Sequence, residues 1–147
     1  MFERSNEPKL VFPALGGLYS SVADHLYPLI RFVVGAILVY HGWVKINSGV
    51  AAVAASMAKS GFEPAIFFAY AAIVLETVGG ACVALGLFTR VFAAMLAIQL
   101  ACITFFVMMP QGFFRMEGTL IWGIVMFTIA LRGGGPYSLD RAIGKEI

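Results

Sequence analysis

Four apolar runs, each near the length needed to cross a bilayer, constrain this chain more than any other feature of its sequence. A spanning helix needs about 20 mostly apolar residues. Runs of this kind occupy residues 26–46, 65–88, 91–109 and 113–132. The third contains no charge, the second only Glu76, and the fourth has Arg115 and Glu117 near its start. The expected fold is all-α: an integral membrane four-helix bundle. Composition agrees, with 61% hydrophobic and 12% charged residues, where soluble domains carry about 45–50% and about 25%. So little charge cannot furnish the polar shell of a soluble domain, and a bilayer removes the need for one.

The breaks between runs set the boundaries. Gly61-Phe62-Glu63-Pro64 separates the first two spans, and Gly86-Leu87-Phe88-Thr89-Arg90 is a tight connection between the next two. Pro110-Gln111-Gly112 ends the third, and Gly133-Gly134-Gly135-Pro136 ends the fourth. The expected organisation is an N-terminal cytoplasmic or interfacial segment at 1–25, a membrane domain at 26–132 and a cytoplasmic tail at 133–147. Pro28 then falls in a first helical turn, where its missing N–H costs little. The alanine-rich stretch from Val50 to Lys59 is expected to form a short helix at the membrane surface. In the tail, Leu139, Ile143 and Ile147 share a helical face. The charged chain start, Met1 to Lys9, does not read as a cleaved signal peptide.

Lys and Arg residues set the expected orientation. Arg4, Lys9, Arg90, Arg132, Arg141 and Lys145 fall on one side, and Lys45, Lys59 and Arg115 on the other. The excess puts both termini in the cytoplasm. Tyr27, Tyr40, Trp43, Tyr70 and Tyr137 lie near predicted span ends, as interfacial anchors do; Trp122 fits that pattern less well. No basic cluster is dense enough to suggest nucleic acid. Cys82 and Cys102 lie in apolar runs without a CxxC and read as packing groups. No metal site is expected, and only His41 is placed to serve haem, which wants paired axial ligands in a bundle.

Ionisable groups inside a membrane are rare and usually face the bundle interior. The first span has Arg31, His41 and Lys45. At about 100° per residue, Lys45 falls within roughly 40° of Arg31 and His41 within roughly 80°. Gly35 and Gly42 share that face. On the second span Ala72, Glu76, Gly79, Val83 and Gly86 form a stripe, and small residues let helices approach closely. The two stripes are expected to meet, with Glu76 at a depth between Arg31 and His41 and paired to one of them. Such a pair has two readings. It fixes helix packing and register, or it belongs to a ligand or proton-handling site made of Arg31, His41, Lys45, Glu76 and Gln99, with His41 and Glu76 as its chemical groups. Lys45 has a bland reading of its own, snorkelling to the interface. Arg90 is expected to anchor the turn between the second and third spans, by capping carbonyls or meeting lipid phosphate.

Several of these residues form an ordered pattern: Arg31 and Gly35, then Tyr40-His41-Gly42-Trp43-Val44-Lys45 with Gly49, then Glu76 with Gly79-Gly80, then Leu85-Gly86-Leu87-Phe88-Thr89-Arg90. In order and spacing the chain resembles the DoxX family of small bacterial membrane proteins, over about two thirds of its length. The resemblance implies a four-helix protein of the bacterial inner (plasma) membrane. It also implies a link to redox chemistry, since related DoxD proteins are associated with thiosulfate oxidation that passes electrons to quinone. Other relatives are linked to redox defence complexes at the membrane, and distant ones to assembly or trafficking. Quinone is the cofactor or ligand so suggested, and the partners are the lipid bilayer with a second copy or a membrane or peripheral redox protein. The chain carries no flavin, haem or iron–sulfur signature of its own. Three functions follow as expectations: a membrane subunit of an oxidoreductase system that binds a quinone head group or small anion, a non-catalytic scaffold or assembly factor, and a small-solute transporter.

Overall fold

The computed structural model of the protein describes residues 11–145. A short turn at Pro13–Leu15 leads into α1, Gly16–Ser48. Gly49, in a positive-φ conformation, breaks the chain direction before α2, Val50–Lys59. The second span, Ala65–Leu85, consists of α3, Ala65–Val74, a π-helical segment, Leu75–Gly79, and α4, Gly80–Leu85. The third, Thr89–Gln111, starts as α5, Thr89–Cys102, and passes through a second π-helical segment, Ile103–Met108. The fourth is α6, Phe113–Arg132, and the tail carries α7, Leu139–Ile143. Among the described residues four helices are long and apolar enough to cross a membrane, and there is no strand. The protein is an all-α integral membrane four-helix bundle, as its hydropathy predicts.

The bundle is apolar outside as well as inside. Leu29, Phe32, Phe67, Ile98, Phe105, Ile121 and Phe127 are all exposed large hydrophobics. A soluble monomer does not show so extended an apolar surface; lipid solvates it. The buried core is modest and lies between the helices, around Val34, Leu38, Val83, Ala93, Leu96, Leu100, Met126 and Ile129. Each span reverses the direction of the one before it. One end of the bundle, the tail end, gathers the turn at 86–90, the close of α6 and α7. The other, the far end, gathers the close of α1, α2 and the start of α6.

Glycines set how closely α1 meets the second span. A Cβ on Gly35 would come within 2.6 Å of the Ala84 amide nitrogen and the Gly80 carbonyl oxygen. One on Gly42 would come within 2.9 Å of the Thr77 nitrogen. Gly79, expected on this seam, instead packs against Phe92 and Leu96 of α5, and its neighbour Gly80 takes the seam. The π-helical segment explains the change. It adds a residue to one turn, so the stripe after it is offset by about one residue, or about 100°.

Two span boundaries differ from expectation by more than two residues, and one expected anchor is placed elsewhere. α1 begins ten residues early, at Gly16, so part of the segment at 1–25 is helical, and Pro28 lies within the helix instead of in its first turn. Tyr27 is buried, its hydroxyl donating to the Gly133 carbonyl, so it is not a lipid-facing anchor. The second span stops at Leu85, because Gly86 takes the left-handed conformation at the helix end and the Leu87 amide bonds back to the Cys82 carbonyl, as a glycine-terminated helix does. Arg4, Lys9 and Ile147 lie outside the described residues.

Candidate functional site: a polar cavity inside the bundle

Glu76 is the second residue of the first π-helical segment and is only 3% exposed. Its Oε1 accepts from Lys45 Nζ, an ion pair, and from Gln99 Nε2 at 2.7 Å. One carboxylate therefore ties the first three spans together. Neither Arg31 nor His41 is its partner, contrary to the expected pairing. The cause is the register of the Gly42 contact. Helix packing sets Glu76 level with Gly42, where centring both apolar runs in the membrane sets it near residue 36. Six residues at about 1.5 Å each make a slide of about 9 Å. Lys45 then comes within reach of the carboxylate, and Arg31 moves out of reach.

Glu76 also lines a cavity of about 450 Å³. α1 contributes Ile37, Leu38, His41 and Lys45, and α2 contributes Ser56, Met57 and Ser60. The third span adds Leu100, Ile103, Val107 and Met108, and α6 adds Arg115, Gly118, Thr119 and Trp122. Lys45 lies near the close of α1 and Arg115 near the start of α6, so both sit toward the far end. Glu76 lies eleven residues into its span, about 16 Å deep at about 1.5 Å per residue. The walls between these levels are mostly apolar. Two buried oxygens, Glu76 Oε2 and Gln99 Oε1, have no hydrogen-bond partner among the described residues. Gln99 itself faces a second, apolar groove of about 350 Å³, together with Cys102 and Met95. Arg115 and Trp122 enter the cavity from the fourth span, the part of the sequence with the least pattern to guide a reading.

The DoxX family model matches residues 27–109, more than half of the chain. The chain belongs to the DoxX family. The DoxX match takes in Arg31, His41, Lys45, Glu76 and Gln99 and stops before Arg115 and the tail. No curated protein and no solved structure matches the chain.

Arg31 of this DoxX protein serves the tail end. It is 2% exposed, and it donates through Nη1 to the Val83 carbonyl at 3.3 Å and through Nη2 to the Tyr137 carbonyl at 2.6 Å. Gly86 leaves room for its guanidinium, which a Cβ there would strike. The charge therefore holds the tail against the turn at 86–90 and does not line the cavity.

Asp140 completes that contact, and the sequence reading passed over it. Its Oδ1 accepts from the Phe88 amide at 2.7 Å, and its Oδ2 from the Thr89 amide at 3.0 Å and hydroxyl at 2.7 Å. Its own amide donates to the Gly86 carbonyl at 2.8 Å. It thus caps α5 from a distant part of the chain, where the local residue, Phe88, supplies no side-chain cap and has a positive φ of 46°. Burial pushes the Asp140 pKa up, but the hydrogen bonds from Thr89 and Phe88 and the nearby Arg31 charge outweigh it and hold the carboxyl below its usual value. A signal was available in the sequence: Asp140 is the sole acidic residue between Glu117 and Glu146, beside a turn that lacks a cap.

The remaining singled-out residues are placed as follows. Arg90 donates to the Leu131 carbonyl at 2.6 Å and the Ala130 carbonyl at 3.3 Å, at the close of α6. Cys82 and Cys102 are free thiols. Cys82 is three residues from the tail end of its span and Cys102 thirteen residues into the next, so they lie at different depths. Among the described residues no group of His, Cys, Asp and Glu is arranged to hold a metal ion.

Proposed function

We propose that this DoxX protein is a membrane subunit of a redox system that binds a small amphiphilic molecule, a quinone head group or a small anion, in the cavity beside Glu76. The observation that carries this reading is the cavity itself, with a buried carboxylate on its wall, an ammonium and an imidazole nearby, and otherwise mostly apolar sides. Ligand sites are typically apolar clefts with a few converging polar groups, and ionisable groups within a membrane mark functional positions. The cavity suits a quinone ring in size, and Lys45, His41 and Arg115 bring polar groups to its lining beside Glu76.

The roles follow from chemistry. Lys45 neutralises Glu76 and leaves the wall a fixed dipole. Arg115 supplies positive charge toward an anionic or electron-rich oxygen. His41 is the group suited to pass a proton to or from Nδ1 or Nε2. A bound quinone supplies two-electron, two-proton redox capacity; this chain supplies the pocket and the proton-handling groups. Arg31, assigned to the ligand on sequence grounds, drops out of this reading, and Gln99 acts through Glu76. The site of action is the bacterial inner membrane with both termini cytoplasmic, supported by Arg90, Arg132, Arg141 and Lys145 at the tail end against Lys45, Lys59 and Arg115 at the far end.

The test is calorimetric binding of a short-chain benzoquinone and of thiosulfate to the purified protein in nanodiscs. Saturable binding of either, weakened at least about tenfold by Glu76→Gln or His41→Ala, supports the reading. No binding of either contradicts it. A scaffold is the second reading, favoured by the way Glu76 ties three spans. It predicts that Glu76→Gln lowers stability while a protein partner co-purifies and no small molecule binds.

A further inference from the structure

We infer that the tail end of the bundle holds the phosphate group of an anionic phospholipid, in a basic hollow where the close of α6 meets α7. This is the opposite end of the molecule from the cavity, and the inference does not depend on the proposed function.

The hollow has a volume of about 370 Å³ and is lined by Arg132, Arg141 and Lys145 together with Ser138 and Asp140. At about 30 Å³ per water molecule, it has room for a phosphate diester and part of its hydration shell. Its charge is positive. Among the described residues the ion pair is that of Lys45 with Glu76, so none of these three cations has a carboxylate at ion-pair distance. Asp140 is the acid on the lining, but its oxygens are taken by the Phe88 amide and by the Thr89 amide and hydroxyl. The Arg31 charge also lies close to it. Three basic groups therefore face the hollow beside an acid that is already answered.

Arg132 is held in position. Its guanidinium carbon lies 4.1 Å from the centre of the Tyr27 ring. Tyr27 is buried, and its hydroxyl is fixed to the Gly133 carbonyl. A guanidinium resting on an aromatic ring keeps donors at its edge, in the fork geometry that suits phosphate oxygens.

The level in the membrane is that of a headgroup. Arg132 closes the fourth span, Phe113–Arg132, and Leu85 closes the second, Ala65–Leu85. A second hollow adjoins the first and shares Ser138 and Arg141 with it. The rest of its lining is apolar or aromatic, with Leu85, Pro136, Tyr137, Leu139 and Ala142. Leu85, Tyr137 and Leu139 are exposed. Phosphate-binding groups beside exposed apolar surface match a phospholipid better than a free anion. A zwitterionic headgroup carries its own cation, which three basic groups repel, whereas an anionic headgroup does not.

The test uses the full purified chain in detergent and native mass spectrometry. The probes are phosphatidylglycerol, phosphatidylcholine with the same acyl chains, and inorganic phosphate. Each basic residue near an anionic surface favours binding by about fivefold. One phosphatidylglycerol is therefore expected to bind at least about tenfold more tightly than phosphatidylcholine. Arg141→Gln combined with Lys145→Gln, both at exposed positions, is expected to weaken phosphatidylglycerol binding at least about tenfold and leave phosphatidylcholine binding unchanged. Lys59→Glu removes the same charge at the far end and is expected to keep the preference intact. Equal binding of the two lipids overturns the inference. A preference that survives the paired change, or that falls equally in Lys59→Glu, also overturns it. Displacement of phosphatidylglycerol by inorganic phosphate at the same concentration overturns it as well, because the hollow then takes a free anion. The lipid comparison needs only the natural protein, so it stands even where a variant fails to fold.

Discussion

A carboxylate buried within a membrane bundle is tolerated only with partners, and the identity of those partners is open to measurement. Removing one member of a buried ion pair costs about 3–5 kcal/mol. Lys45 keeps 25% of its side chain exposed, so Lys45→Met is expected to cost less, roughly 2–3 kcal/mol, in reversible unfolding in detergent. In a double-mutant cycle, Lys45→Met and Glu76→Leu are expected to couple by at least about 1 kcal/mol, while Arg31→Met and Glu76→Leu add within about 0.5 kcal/mol. Strong coupling of Arg31 to Glu76 would contradict the register described above. At the tail end the corresponding residue is Asp140. Folding lowers its pKa, so docking of the tail gains stability above the ordinary carboxyl value of 3.8 and loses it as pH falls through the lower folded value. The Thr89 amide resonance should therefore hold steady from pH 7 to about 4 and shift only at lower pH. In Asp140→Ala that titration should vanish.

At the scale of elements, glycine contacts and one π-helical segment decide which residues meet. Gly35→Ala places a methyl group against the backbone of Ala84 and Gly80, which cannot yield as a side chain can. It is expected to separate α1 from the second span and lower the unfolding midpoint markedly. Gly17→Ala, with nothing within 4 Å, is expected to leave the midpoint unchanged or raise it, since alanine favours a helix over glycine by about 1 kcal/mol. The contrast shows where sequence reading succeeds and where it stops. The four spans were legible because hydropathy acts along a single helix, and α6 was located to the residue. α2 was legible for the same reason. The partner of Glu76 was not, because depth depends on how far two helices slide, which Gly42 and Thr77 determine together. The role of Gly79 was misjudged because an ideal period of 3.6 takes no account of the π-helical residue. Asp140 was missed because capping across some fifty residues of chain leaves no local pattern.

For the whole molecule, the two ends of the bundle do different work. The tail end is a structural clasp, in which Arg31, Asp140, Thr89 and Tyr27 bind the chain to itself. The far end and the mid-membrane region carry the cavity, with Lys45, Glu76, His41 and Arg115 around it. This division predicts that changes at the clasp act on stability, while changes at cavity residues outside the Lys45–Glu76 pair act on ligand affinity. Asp140→Ala should lower the unfolding midpoint yet leave probe affinity within about twofold, whereas His41→Ala should do the reverse. The account turns on the cavity being where a ligand sits. Its most direct test is photolabelling of the protein in membranes with an azido-substituted short-chain quinone, followed by mass spectrometry of the peptides. Saturable label on residues 37–45, 56–60 and 115–122, displaced by the unlabelled quinone, is the predicted result. Label confined to the apolar groove lined by Met95, Gln99 and Cys102, or label that does not saturate, would contradict it.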